Sequence, residues 1–188
     1  MRVVSGSFKG KKILGPKDII TRPLKDLTKE SIFNIIEHSN KFKVKLVEAK
    51  VLDLFSGVGS FGIECISRGA KKVVFCEKYQ GVLSVLKKNL INLKSIDKYE
   101  IIEKDLYDEN TFFIFGNFFD IIFLDPPYKD KNLNIIFKTI IKNNILKKNG
   151  IMILHRHKKE KDLLTPNFEI VEEKQYGISK INFIKLLS

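Results

Sequence analysis

Cysteine is scarce in this chain of 188 residues, which contains only Cys65 and Cys76. The two cysteines form no Cys-x-x-Cys motif, and each lies in an apolar stretch of the sequence. Metal centres and redox pairs are usually marked by closely spaced cysteines. We therefore expect two buried free thiols, no disulfide and no bound metal.

Long hydrophobic runs are also missing. No apolar stretch approaches the roughly 20 residues that a membrane-spanning helix requires. The N-terminus, Met1 to Gly6, lacks the apolar core of a secretory signal peptide. These two features predict a cytoplasmic protein with no membrane partner.

Acidic residues are the minority among the charged ones. There are 22 Asp and Glu against 34 Lys and Arg, which gives a net charge of +12. Such an excess indicates a phosphate-rich partner, because lysine and arginine displace condensed counterions from nucleic acid. A Lys-biased composition of the kind that an A/T-rich genome encodes would produce the same charge, so the charge alone leaves both explanations open.

The sequence pattern divides the chain into two parts. Residues 1–45 are predicted to form an N-terminal extension, with two short strands in 2–14, a loop at 15–25 and a helix at 26–38. Residues 46–188 alternate apolar strands with helices and end in two further strands, which predicts an α/β fold with a mostly parallel sheet and a C-terminal antiparallel hairpin. Because the extension is basic and rich in loops, we expect it to contact RNA rather than to support the fold.

Acidic residues occur where the strands of the second part are predicted to end. Ligands of parallel sheets bind at the carboxyl ends of the strands, so these acids are candidates for one binding site. They are Asp53, Glu77, Asp105 and Asp125. The predicted strands cover 51–55, 72–77, 99–104, 120–125, 150–155, 168–174 and 178–187, and the predicted helices of this part cover 60–69, 80–94 and 132–144.

A glycine-rich turn follows the first of these strands. Its spacing, Gly57-x-Gly59-x-x-Gly62, is that of a dinucleotide-binding loop, with Glu77 at the position that binds ribose hydroxyls. NAD and S-adenosylmethionine (AdoMet) are both compatible with the spacing, and a plain tight turn is a third explanation. Asp53 favours AdoMet, because a carboxylate can bind the methionine ammonium but would repel a pyrophosphate.

A second loop, Asp125-Pro126-Pro127-Tyr128, follows the apolar run 121–124. By itself it could be a stiff surface turn. Together with the glycine-rich turn it suits a planar base that carries an exocyclic amine, because the base can stack on Tyr128 while the amine donates to Asp125 and to the carbonyl of Pro126. The base must be unpaired or flipped to enter such a pocket. An acceptor-only carboxylate weakly favours guanine over adenine.

The two loops together resemble those of class I AdoMet-dependent methyltransferases, which have a Rossmann-like sheet. The N-terminal stretch adds Arg2-Val-Val-Ser-Gly6-x-Phe8-Lys9-Gly10, Thr21-Arg22-Pro23 and Lys29-Glu30-Ser-Ile-Phe33-Asn34. With these motifs the chain resembles the bacterial 16S ribosomal RNA guanine-N2 methyltransferases of the RsmD type. The resemblance implies methyl transfer from AdoMet to N2 of a guanine in the small ribosomal subunit, by a monomer without a metal.

The resemblance also implies roles for individual residues. The expected cofactor-binding residues are Asp53, Phe55, Gly57, Gly59, Glu77, Asp105 and Leu106. The expected catalytic residues, which hold the target base, are Asp125, Pro126 and Tyr128, and the expected RNA contacts are Lys9, Arg22, Lys29 and Pro127. The chain departs from the family at Thr28 and Lys29, where an aliphatic residue and an arginine are usual; lysine cannot make a bidentate phosphate contact. Tyr128 is often phenylalanine in relatives, and either ring can stack.

Three other functions fit part of the pattern. A DNA adenine-N6 methyltransferase would need a target-recognition domain, and few residues remain after the fifth predicted strand. A methyltransferase of protein glutamine amides would prefer Asn at position 125. A non-catalytic ribosome-assembly factor would have no need of the four acids. The segment His155-Arg156-His157 is interpreted as a surface loop that holds no ligand.

Overall fold

The computed structural model describes residues 1–16, 24–115, 118–162 and 164–187. The helices are α1 (Asp26–His38), α2 (Ser60–Ser67), α3 (Gln80–Ile91) and α4 (Leu133–Lys142), with two short 3-10 helices at Ile96–Lys98 and Glu109–Phe115. The strands are β1 (Lys50–Leu54), β2 (Lys72–Cys76), β3 (Tyr99–Ile102), β4 (Phe119–Leu124), β5 (Leu146–His157), β6 (Phe168–Tyr176) and β7 (Ser179–Leu186). No described helix is both long enough and apolar enough to cross a membrane.

The seven strands form one sheet in the order β3-β2-β1-β4-β5-β7-β6. Strands β1 to β5 run parallel to one another, and β7 pairs antiparallel with both β5 and β6. The predicted parallel sheet with a C-terminal antiparallel hairpin is therefore confirmed. The chain moves outward from β1 to β3 and then returns to the other side of β1 with β4, so the central crevice lies between β1 and β4, where ligands of such sheets bind.

Both faces of the sheet are buried, which explains why its strands are almost continuously apolar. In β1, Val51 faces a core that includes Phe33, Phe61 and Leu86 from α1, α2 and α3. Its neighbour Leu52 faces the opposite core, where α4 contributes Phe137. This alternation follows from the two-residue period of a strand. Helices thus cover both faces and leave the carboxyl ends of the strands for a site.

The main differences from the sequence prediction are at the fifth strand and at the N-terminus. The fifth strand, predicted at 150–155, begins at Leu146 and continues to His157. It continues because Arg156 and His157 pair with Lys180 and Ser179 of β7. At the N-terminus the two predicted strands are reduced to a single antiparallel bridge between Arg2 and Lys12.

The N-terminal segment, residues 1–14, is part of the fold. Val3 and Ile13 are buried in the same core as the helices on that face of the sheet. Gly6 adopts a φ of +81° over α2, and a Cβ at this position would lie 1.9 Å from the carbonyl oxygen of Ser67. The expectation that this segment does not support the fold is therefore wrong, because its backbone and apolar side chains complete the core. Its contact with RNA stays a prediction.

A buried carboxylate, that of Glu64 in α2, anchors this segment. Its two oxygens accept the backbone N–H groups of Val4 and Ser5, each at 2.8 Å. The same carboxylate lies 2.9 Å from Nε of Arg68 and 3.5 Å from Nζ of Lys29. The Lys29 ammonium also donates to the carbonyl oxygen of Arg2 at 2.7 Å. Lys29 is fully buried, so its expected role as an RNA contact is wrong.

Both cysteines are buried and free, as predicted. Burial raises the pKa of the Cys65 thiol and of the Cys76 thiol, because the thiolate would lose its hydration. These thiols are consequently structural groups of the core and poor nucleophiles.

We predict that Glu64→Ala lowers the free energy of unfolding by about 3–5 kcal/mol, because the substitution removes the buried carboxylate that lies 3.5 Å from the buried Lys29 ammonium. Urea denaturation of the purified variant measures the effect. The matched control is Glu103→Ala, which removes a half-exposed partner of Lys87 and should cost no more than about 1 kcal/mol. Equal stability of the two variants would contradict the anchoring role of Glu64.

Candidate active site

Four acids line the carboxyl edge of the sheet, as the sequence predicted. Asp53 lies in β1, and Asp125 follows β4 with its N–H 3.3 Å from the carbonyl oxygen of Leu54. Glu77 follows β2, and Asp105 lies three residues beyond the end of β3. The crevice between β1 and β4 therefore separates a glycine-rich turn on one side from the Asp125-Pro126-Pro127-Tyr128 loop on the other.

The glycine-rich turn has an unusual backbone. Phe55, Gly57 and Gly59 all have a positive φ, of 60°, 56° and 83°. A Cβ on Gly59 would lie 2.6 Å from Cδ1 of Leu86, and one on Gly62 would lie 2.3 Å from Cε1 of Phe75. The glycines are thus required twice, for the left-handed turn and for the close packing of α2 on β2 and α3.

Two carboxylates hold this turn in place. Oδ2 of Asp53 accepts the N–H of Gly62 at 3.0 Å. The carboxylate of Glu77 accepts the N–H of Gly57 and that of Tyr79, each at 2.8 Å. Asp53 is almost completely buried, and this burial, reinforced by the nearby Asp125 and Glu77, raises its pKa well above the usual value. The turn is therefore shaped by acids whose negative charges repel one another.

Asp105 lies further along the same edge. Its carboxylate accepts from Nζ of Lys78 at 2.7 Å and from the N–H of Tyr107 at 3.0 Å. The hydrogen bond from Lys78 is the main reason that the pKa of Asp105 is lowered. Leu106 is buried beside it, and the rings of Phe55 and Tyr107 lie 6.3 Å apart. An ionised acceptor next to aromatic and aliphatic surface is suited to a flat, amine-bearing ring.

The loop that follows β4 is fixed by Arg156 of β5. Nη1 of Arg156 donates to the carbonyl oxygen of Pro127 at 2.9 Å, and Nη2 donates to that of Asp130 at 2.7 Å. The guanidinium is 1% exposed and is neutralised by Asp162, 3.0 Å away. On the opposite side, the hydroxyl of Tyr107 donates to the carboxylate of Asp130. The loop is held from both sides.

His155 lies next to Asp125. Its Nδ1 is 2.7 Å from Oδ1 of Asp125, and its ring is buried. The Tyr128 ring makes T-shaped contacts with the rings of His155 and His157, with centroids 6.1 and 5.4 Å apart. The interpretation of 155–157 as a surface loop is therefore wrong: all three residues belong to β5. Strand alternation could have indicated the arrangement, because β5 pairs with β4 through Leu124 and Leu154, which brings His155 beside Asp125.

The remaining residues that the sequence singled out have different surroundings. Pro126 is buried, whereas Pro127 is exposed at the surface of the loop. Lys9 is exposed in the N-terminal segment. Arg22 lies outside the described residues, as does the Thr21-Arg22-Pro23 motif. Lys9 and Pro127 are thus available to a macromolecular partner, while Lys29 is not.

The strand order, the acidic glycine-rich turn and the second loop together define the class I methyltransferase fold. The chain belongs to the family described as Conserved hypothetical protein 95, which matches residues 1–185. It is 34% identical over 180 residues to the Ribosomal RNA small subunit methyltransferase D of Haemophilus influenzae, covering 95% of this chain and 90% of that protein. The family resemblance predicted from the motifs is confirmed.

Solved structures agree with this placement. A candidate methylase of Haemophilus influenzae is similar with a TM-score of 0.75 at 31% identity, covering 100% of this chain and 99% of that one. A candidate methyltransferase of Escherichia coli has a TM-score of 0.81 at 21% identity, covering 100% and 98%. The second likeness concerns the fold alone.

We predict that Asp53→Asn stabilises the protein near neutral pH. The raised pKa means that the folded state binds more protons than the unfolded one, so stability falls as pH rises from the unfolded pKa, about 4, towards the folded pKa. Asparagine can still accept the N–H of Gly62 and carries no charge. We expect a gain on the order of 1 kcal/mol at pH 7 that shrinks as pH falls towards the unfolded pKa.

Urea denaturation across this pH range measures the difference. Asp97→Asn, at a surface carboxylate, is the control and should not follow the same trend. A gain for Asp53→Asn that stays constant with pH would contradict the burial argument.

Proposed function

We propose that this protein transfers a methyl group from AdoMet to the exocyclic N2 of a guanine in 16S ribosomal RNA. The observation that carries the proposal is the position of Asp125. It is held by His155 at the crevice, opposite the acidic glycine-rich turn, in a chain similar to a protein named for small-subunit RNA methylation. The reaction requires these two loops to meet at one edge of the sheet.

The residues of the turn are chemically suited to AdoMet. Asp53 offers a carboxylate for the methionine ammonium, through the oxygen that does not bind Gly62. Glu77 would bind the ribose hydroxyls, and the ionised Asp105 would accept from the adenine amine. Phe55 and Leu106 would supply apolar surface for the adenine ring, and Gly57 and Gly59 have no side chain that would obstruct a ligand approaching the backbone. When bound, AdoMet supplies a methyl group activated by its sulfonium.

The Asp125-Pro126-Pro127-Tyr128 loop would compensate for the poor nucleophilicity of the guanine amine. The lone pair of an aromatic amine is spread into its ring, so the amine must be localised and aligned. Hydrogen bonds from N2–H to Asp125 and to the carbonyl of Pro126 would localise it. Stacking on Tyr128 would align it and contributes about 1–3 kcal/mol per base. The fixed loop supplies the near-attack geometry from which much of the rate enhancement comes.

The surface charge supports an RNA partner. The chain carries a net charge of +12, and Lys9 is exposed in the N-terminal segment. We assign Lys9, Arg22 and Pro127 to RNA contacts on the assembled or partly assembled small subunit. Selectivity would come from the shape of a prefolded RNA with an unstacked base.

We predict that cofactor binding and turnover can be separated. Glu77→Ala should weaken AdoMet binding by about 1.5–3 kcal/mol, because charge-assisted hydrogen bonds to the ribose are lost. Asp125→Ala should leave the affinity nearly unchanged and abolish methyl transfer. Calorimetry with AdoMet and a labelled-methyl assay measure the two effects, and near-normal turnover of Asp125→Ala would remove the central claim.

Stacking gives a further prediction at Tyr128. Tyr128→Phe should keep most of the activity, because the ring remains. Tyr128→Ala should lose about 10- to 100-fold, which corresponds to the energy of one stacked base. The same labelled-methyl assay measures both variants, and equal activity of the two would refute stacking as the role of Tyr128.

The substrate is tested with three acceptors: protein-free 16S RNA, reconstituted small subunits and duplex DNA. We expect labelling of the subunits, with N2-methylguanine in the digest. Labelling of DNA, or N6-methyladenine in the product, would instead identify a DNA adenine-N6 methyltransferase. Efficient labelling of protein-free RNA would preserve the chemistry but refute the need for an assembled particle. AdoMet binding without transfer to any acceptor would indicate a non-catalytic assembly factor.

A further inference from the structure

His155 has an unusual hydrogen-bonding state for a buried histidine. Its Nδ1 contacts Oδ1 of Asp125 at 2.7 Å. Its Nε2 is buried as well, and it has no hydrogen-bond partner among the described residues. An unpaired buried nitrogen costs stability, so an apolar residue would serve the core better at this position. The hydrogen bond between Nδ1 and Asp125 is therefore the feature that distinguishes this imidazole from an apolar side chain.

The tautomer follows from the partner. An ionised carboxylate only accepts hydrogen bonds. The proton of a neutral His155 must consequently be on Nδ1, where it is donated to Oδ1 of Asp125, and Nε2 has a bare lone pair. The strand fixes the ring in this orientation, because His155 lies in β5 opposite Ile181 of β7.

We propose that His155 is a positioning residue for methyl transfer, which rests on the function proposed above. Its Nδ1–H holds Oδ1 of Asp125 and thereby fixes the rotation of the carboxylate. Oδ2 is then presented to the N2–H of the target guanine. The Tyr128 ring lies nearly perpendicular to the same imidazole, with the ring centroids 6.1 Å apart, so a single side chain sets the relative placement of the amine acceptor and the stacking surface.

Two substitutions separate the hydrogen bond from the packing. In His155→Asn the amide nitrogen takes nearly the position of Nδ1 and can still donate to Asp125. In His155→Leu the volume is largely kept but the donor is lost. His38→Asn is the matched control, because His38 is exposed at the end of α1.

The experiment measures methyl transfer to reconstituted small subunits, together with AdoMet affinity and thermal unfolding. For His155→Leu we expect kcat to fall about 30- to 100-fold, as is typical when a reacting group is misplaced by about 1 Å. The KM for subunits and the AdoMet Kd should stay within about threefold, because the proposed role gives His155 no direct contact with either ligand. His155→Asn should recover kcat to within about fivefold of the wild type, and His38→Asn should match the wild type.

An NMR measurement tests the tautomer without activity. The ¹⁵N shifts of His155, assigned from their loss in His155→Asn, should show a protonated Nδ1 and an unprotonated Nε2. The opposite tautomer would overturn the proposal even in an active enzyme.

The kinetic outcomes are equally decisive. Unchanged kcat in His155→Leu, equal loss in both folded variants, or a failure of both variants to fold would each overturn the positioning role. If the wild-type protein binds AdoMet but labels no RNA, the proposed function fails, and the positioning role fails with it. An active wild type with the wrong variant pattern refutes the role of His155 alone.

Discussion

The buried guanidinium of Arg156 is the interaction on which the candidate site depends. A charge removed from water is tolerated only when it is paired and its N–H groups have partners, and Asp162 together with the carbonyls of Pro127 and Asp130 supplies both. If the loop moved away, the buried guanidinium would lose these hydrogen-bond partners without gaining contact with water. Within the loop, the guanidinium donates only to backbone carbonyls. The side chains of Asp125 and Tyr128 instead contact His155 and His157. Strand β5 therefore sets the geometry of a loop that follows β4.

The opposite face of the sheet repeats this principle. There the buried ammonium of Lys29 and the buried carboxylate of Glu64 secure an N-terminal segment whose own backbone hydrogen bonds form turns around one antiparallel bridge. In both places an irregular stretch of chain is held through its backbone by a charged side chain from a regular element. The free-energy cost of burying each charge is offset only when the irregular segment is packed against it. The packing of each segment therefore forms together with the rest of the fold.

Most of the fold could be predicted from the sequence because it follows from short-range patterns. The pattern predicts helix α1 at 26–38 and the strand after Lys50 at 51–55, close to their observed bounds, since apolar periodicity and glycine positions are local signals. The position of the four acids at the strand ends is also predicted correctly, because parallel topology brings those ends together. The predictions for Lys29, His155 and Arg156 are wrong for one shared reason. A polar residue is expected at the surface unless its partner is known, and Glu64, Asp125 and Asp162 become partners only through the tertiary fold.

The electrostatics of the crevice indicate how the two halves of the site depend on each other. Asp53 is buried within the influence of Asp125 and Glu77, and the mutual repulsion of these acids helps to raise its pKa. Repulsion between ionised carboxylates is destabilising in the absence of a cation, because the low local dielectric strengthens repulsion as much as attraction. AdoMet, the proposed cofactor, carries an ammonium and a sulfonium. The positive charges of AdoMet would relieve the repulsion between these acids. Asp125 would then be available to accept a hydrogen bond from the target amine. The tie between Tyr107 and Asp130 gives the adenine side of the crevice a direct connection to the target loop, so the segment that follows Asp105 and the loop that follows β4 are held together.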